Sequence, residues 1–114
     1  MLKQPNRLRR QKDFARVFKH GDTVHMPAFT VKYHANHHPS RTRVAVVISS
    51  KVAKRAVIRN RTRRRFYGQV QLLWPRIRPG MDVVILLRRQ ATDLRGAQLA
   101  EQLRSCFHKA GILH

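Results

Sequence analysis

Between Asp22 and Asp82 the chain carries no acidic residue, and the gap contains Lys51-Val-Ala-Lys-Arg-Ala-Val-Ile-Arg-Asn-Arg-Thr-Arg-Arg-Arg65, in which eight of fifteen residues are Lys or Arg. Any fold must keep these side chains at its surface, and crowding them there is unfavourable unless a polyanion lies against them. The whole chain has 25 Lys plus Arg against 5 Asp plus Glu, a formal charge of +20 over 114 residues. A hydrophobic content of 42% excludes a disordered basic tail, since it is enough to build a core. The length suits a single domain, residues 1–114. Val44–Ile48 and Val83–Leu87, the longest apolar runs, are too short to cross a bilayer, so no membrane partner is expected. Met-Leu-Lys-Gln-Pro at the start has no apolar stretch before a cleavage site, so no signal peptide is expected. Cys106 has no second cysteine to pair with, which fits a reducing, cytoplasmic setting.

Hydrophobic spacing predicts a short helix from Asp13 to His20, with Phe14, Val17 and Phe18 on one face and Gly21 at its end. Thr23–Met26 and Ala28–Ala35 read as two strands bent at Pro27; in the second, Phe29, Val31 and Tyr33 alternate with Thr30, Lys32 and His34. Asn36–Ser40 is a turn. Val44–Ile48, apolar throughout, reads as a central strand buried on both sides. From Ala56 to Trp74 runs a helix with Ile58, Thr62, Phe66, Val70 and Leu73 as its apolar stripe, stopped by Pro75. Val83–Leu87 is a second buried strand, and Asp93 is a candidate N-cap for a last helix that buries Leu94, Leu99, Leu103 and Phe107. Helix, three strands, helix, strand, helix: the order predicts an α+β fold, a small sandwich of helices against a mixed sheet.

The usual polyanion for such a chain is a nucleic acid, whose phosphates exchange counterions for Lys and Arg. The arginine helix fits this. Arg59/Arg63 and Arg61/Arg65 are like-charge i, i+4 pairs, and cations near a helix start oppose the macrodipole. A phosphate there relieves both penalties. Phe14, Phe18 and Tyr33 are either core or an exposed platform for unpaired bases, where each stacked base contributes roughly 1–3 kcal/mol. His34, His37 and His38 lack a companion Cys or carboxylate cluster, so turn histidines are expected and no metal site. The scattered carboxylates and the Ser49-Ser50 pair suggest no catalytic constellation.

Arg59-Asn60-Arg61 followed by Arg63-Arg64 resembles the signature of the protein subunit of bacterial ribonuclease P. Lys51-Val-Ala-Lys-Arg-Ala56 resembles the basic loop leading into that helix. Arg7-Leu8-Arg9, Asp13-Phe14, Val17-Phe18 and Gly21 resemble the family's first helix, Arg43–Ile48 its third strand and Asp82–Arg89 its fourth. The resemblance implies a mixed four-stranded sheet with a left-handed βαβ crossover, a fold like the second domain of a small-subunit ribosomal protein. It also implies a ribonucleoprotein endonuclease that removes the 5′ leader from precursor tRNA, with the chemistry carried by a catalytic RNA and Mg²⁺. The protein would hold no cofactor of its own. Its partners would be that catalytic RNA and precursor tRNA. Lys54, Arg55, Arg59, Asn60, Arg61, Arg63, Arg64 and Arg65 would face the catalytic RNA. Phe14, Phe18, Tyr33, Lys51, Arg88 and Arg89 would line the leader cleft. Thr62 stands where the family has an aliphatic residue, which predicts slightly looser packing.

Two other readings share the charge and size. A ribosomal or other structural RNA-binding protein matches in composition but not in the ordered motifs. A DNA-binding protein would set the arginine helix after a short turn from another helix, whereas here a buried strand precedes it.

Overall fold

Alternation along the strands decides which side chains meet which helix. The structure, a computed structural model, describes residues 6–36 and 41–114. Its elements are α1 (Gln11–His20), β1 (Asp22–His25), β2 (Phe29–Ala35), β3 (Arg43–Val47), α2 (Ala56–Leu73), β4 (Met81–Leu87) and α3 (Gly96–Ala110), with short 3-10 turns at Trp74–Arg76 and Arg89–Asp93. The strands form one mixed sheet in the order β1-β2-β4-β3. β2 pairs antiparallel with both β1 and β4, while β3 and β4 run parallel and are joined through α2.

Phe29 and Val31 of β2, Val83, Ile85 and Leu87 of β4, and Val44 and Val46 of β3 face one way. They pack there with Phe66, Tyr67 and Val70 of α2 and with Leu99, Leu103, Cys106 and Phe107 of α3. Phe29 and Phe66 meet edge to face with ring centres 5.6 Å apart. The other face is thinner. Leu8, Val17, Ala45 and Val84 make a second small core beneath α1, with Phe14 and Leu86 against it. The sheet is therefore sandwiched between α1 on one side and α2 with α3 on the other.

β3 is an edge strand, not the central strand its apolar run suggested; β4 is central. Local substitutes satisfy its outer edge. The Leu8 N–H donates to the Val44 carbonyl at 3.1 Å, and the Val46 N–H donates to the Tyr67 hydroxyl at 3.0 Å. With that edge covered by the N-terminal segment and α2, the strand is buried without a fifth strand beside it.

Three local details depart from expectation. Thr62 is fully buried, and its hydroxyl donates to the Ile58 carbonyl one turn back at 2.8 Å, so a polar residue fits the stripe without an unpaired group. Asp93 closes a 3-10 turn rather than capping α3, which starts at Gly96 behind Arg95. Gly21 ends α1 with φ −79, so left-handed geometry is not why glycine stands there. A Cβ at Gly21 would lie 2.7 Å from the Tyr33 carbonyl oxygen and closer still to that of Val17. The glycine lets α1 turn directly onto the sheet.

Beneath the start of α1, Arg43 ties helix to sheet. Its Nη2 and Nε donate to Asp82 at 2.8 and 2.9 Å, and its Nη1 donates to Asp13 at 3.0 Å. Both carboxylates are buried. Burial pulls the Arg43 guanidinium down, but hydrogen bonds and charge from Asp82 and Asp13 outweigh that and leave its pKa above the ordinary value.

Candidate nucleic-acid interface

The first half of α2 has no acidic residue in its first turn and no side-chain cap at Arg55. Its amide end is open to an anion from outside the chain. Asn60, Arg61, Arg64 and Gly68 fall on the outward stripe and are exposed, as are Lys51, Lys54 and Arg55 in the preceding loop. The remaining arginines are partly engaged at home. Arg59 Nη1 donates to the carbonyls of Ala53 and Lys54, each at 2.8 Å, which pins the basic loop against its helix. Arg63 donates to the Asn60 side-chain oxygen. Arg65 reaches back to the Thr92 carbonyl at 2.7 Å. Burial, followed by the charges of Arg95 and Arg61, lowers its pKa. Arg65 therefore sits as a brace between α2 and the turn after β4, while Arg61 and Arg64 present free guanidinium groups.

Because β3 and β4 are parallel, the loop at Lys51–Arg55 and the segment at Arg88-Arg89 leave the sheet at the same end. Arg89 is exposed there. Arg88 is half-buried and gathers the β1–β2 bend, donating to the Met26 carbonyl and the Thr30 hydroxyl and lying 3.4 Å from His25 Nδ1.

The aromatic platform is smaller than expected. Phe14 is half-buried over the second core, and Phe18, on the same flank of α1, is 46% exposed. Tyr33 does not join them. It shares the sheet face of Phe29 and Val31 and packs against the main core. Burial raises its pKa, with added pushes from Asp22 and Cys106 on that side. The residue that meets Phe18 is its neighbour Lys32, whose Nζ lies 5.8 Å from the centre of the ring. Sequence reasoning missed it, although the alternation already placed Lys32 with Thr30 and His34, opposite Tyr33. What the alternation could not say was which of the two faces α1 would cover.

His34 faces the α1 side, with its ring 6.1 Å from that of His20; His37 and His38 lie outside the described residues. Among the described residues, no group of three or more His, Cys, Asp or Glu could hold a metal ion, and no helix is long and apolar enough to cross a membrane. A solvent-facing α1 flank with an aromatic under a lysine, set on the same sheet as an arginine-rich helix, can stack unpaired bases and neutralise phosphates.

Comparison with known proteins agrees with this geometry. The family model for ribonuclease P matches residues 2–111. The ribonuclease P protein component of Pseudanabaena sp. is 32% identical over 114 residues, covering 100% of this chain and 98% of that protein. That of Symbiobacterium thermophilum is 34% identical over 112 residues, covering 98% and 96%. Among solved structures, the ribonuclease P protein of Staphylococcus aureus superposes with a TM-score of 0.85 at 24% identity over 96% of this chain and 98% of that one. The Thermotoga maritima protein gives 0.71 at 24% identity over 90% and 92%, so the fold is shared. Matched along nearly its whole length, the chain belongs to the ribonuclease P protein family.

Proposed function

We propose that this chain is the protein component of a ribonuclease P ribonucleoprotein, which binds a catalytic RNA and the 5′ leader of precursor tRNA and so assists endonucleolytic removal of that leader. The observation that carries this reading is the exposed Asn60, Arg61 and Arg64 stripe on a helix with an uncapped, acid-free start, in a chain of this family. That surface, extended by Lys54, Arg55 and Arg63, meets the catalytic RNA. The flank of α1 at Phe14 and Phe18, with Lys32 above the sheet, takes unpaired leader nucleotides, and Lys51, Arg88 and Arg89 lie toward their phosphates. Hydrolysis of the phosphodiester belongs to the RNA and its Mg²⁺. Among the described residues, the two buried carboxylates, Asp13 and Asp82, are both bound by Arg43, so neither is free to hold a metal ion. A purely structural RNA binder would share the charge but has no use for a separate leader surface.

The test is reconstitution. Added to a bacterial ribonuclease P RNA at low Mg²⁺, the protein raises cleavage of precursor tRNA at the mature 5′ end. Replacing both Arg61 and Arg64 with Ala weakens RNA affinity and lowers the slope of log K against log salt by roughly 0.7–0.9 per lost phosphate contact. Folding is unchanged, because both side chains point into solvent. No rise in cleavage with the unmodified protein contradicts the reading.

A further inference from the structure

The flank of α1 turned away from Phe14 and Phe18 has a different chemistry. Lys12, Arg16, Lys19 and His20 follow one another there at helical spacing, and with His34 of β2 they line a concavity of about 400 Å³. Ligand sites commonly occupy roughly 300–1,000 Å³, so the space is suited to a nucleotide-sized group. The rings of His20 and His34 lie side by side in its lining, with centres 6.1 Å apart and planes tilted by 36°. The nearby acids do not neutralise it. Asp13 lies 3.6 Å from Arg16, but it is buried and held by Arg43 at 3.0 Å. Asp82, opposite His34 in the strand register, is likewise buried and bound by Arg43. Among the described residues, neither Lys12 nor Lys19 has an ion pair.

We propose that this flank is a second RNA-backbone site, separate from the stacking surface on the other side of the same helix. Lys12, Arg16 and Lys19 meet the phosphate oxygens of a strand, and His20 with His34 forms the polar floor beneath it. Helix α1 then lies between two stretches of RNA, held by cations on one flank and by base stacking on the other. The site's chemistry specifies a phosphodiester backbone; that the backbone is catalytic RNA or precursor tRNA rests on the ribonuclease P reading.

The test compares Lys12→Gln/Lys19→Gln with Arg61→Ala/Arg64→Ala and with the unmodified protein. Affinity is measured across a salt series, first for a bacterial ribonuclease P RNA and then for precursor tRNA bound to the reconstituted complex. Both lysines are exposed, so circular dichroism is expected to stay unchanged. The lysine variant lowers the salt slope by roughly 1.4–1.8 for two lost contacts. A drop in the first arm assigns the strand to the catalytic RNA, and a drop confined to the second assigns it to the precursor. Unchanged slopes in both arms overturn the proposal. If the arginine variant alone changes the slope, this site fails and the ribonuclease P reading stands; if neither does, that reading fails as well. Should the double variant lose helical signal, Lys19→Gln alone is read in the same way, with half the change expected.

Discussion

The ammonium group of Lys32 stands 5.8 Å from the centre of the Phe18 ring, so a β2 side chain and an α1 side chain share one patch of the sheet. Lys32 also donates to the Thr23 hydroxyl at 3.1 Å, which fixes it in place across the β1–β2 pair. At an exposed site such a cation–ring contact contributes about 0.5–1 kcal/mol. Lys32→Ala should therefore cost no more than about that in stability. Its larger effect is on binding: the salt slope for single-stranded leader RNA falls by roughly 0.7, the value for one lost contact. An unaltered slope would show that Lys32 serves the fold alone.

Removing Arg43 has the opposite profile. Asp82 and Asp13 would be left as buried carboxylates without their partner, and breaking a buried pair in this way costs roughly 3–5 kcal/mol. Thermal unfolding of Arg43→Ala should show a fall in Tm of about 10 °C or more, since each kcal/mol shifts a domain of this size by several degrees. A fall of only a degree or two would mean that water replaces the guanidinium at little cost.

Gly21 controls how α1 meets the sheet. In Gly21→Ala the new methyl group presses on the backbone oxygens of Val17 and Tyr33, neither of which can swing aside. Overpacking of this kind costs typically about 1–3 kcal/mol. The helix must lift from β2, so leader affinity should fall along with stability. A variant with native stability and native leader binding would contradict the close approach.

Cys106 supplies a test in alkali. Burial pushes its thiol up to about 11, with Lys109 pulling weakly the other way. In the unfolded chain a thiol ionises near about 8.5. The folded state therefore keeps its proton to higher pH than the unfolded state. The resulting contribution to stability is fully present below about pH 8.5 and is lost as pH rises toward about 11. Denaturant unfolding should show stability falling across that window, and falling less in Cys106→Ala. Native protein at pH 8 should also react with iodoacetamide far more slowly than a free thiol. Equal rates would place Cys106 outside the core.

Much of the fold was legible because its elements carry strong local signals. Alternation marked β2, the β-branched runs marked β3 and β4, and the i, i+4 stripe through Phe66 and Val70 marked α2. The basic surface was legible for the same reason, since exposed charge is a property of residues rather than of packing. What stayed hidden was relational. An apolar run reads alike in a central strand and in an edge strand covered by Leu8 and Tyr67. Strand parity separates Tyr33 from Lys32, but only tertiary packing decides that α1 lies over Lys32. The ties made by Arg65 and Arg88 to distant carbonyls, and by Arg59 to those of its own loop, could not be read either, because an arginine that braces the chain looks in sequence like one that waits for a phosphate.

The most direct measurement of the central claim sets one variant against two substrates. Phe18 is 46% exposed on α1, so Phe18→Ala should leave the fold intact, which circular dichroism checks first. In the reconstituted ribonucleoprotein it should then weaken binding of precursor tRNA carrying a leader by about 1–3 kcal/mol, the worth of a stacked base. Binding of mature tRNA, which has no leader, should barely change. Equal losses on the two substrates, or no loss on either, would contradict a leader site on this face of the protein.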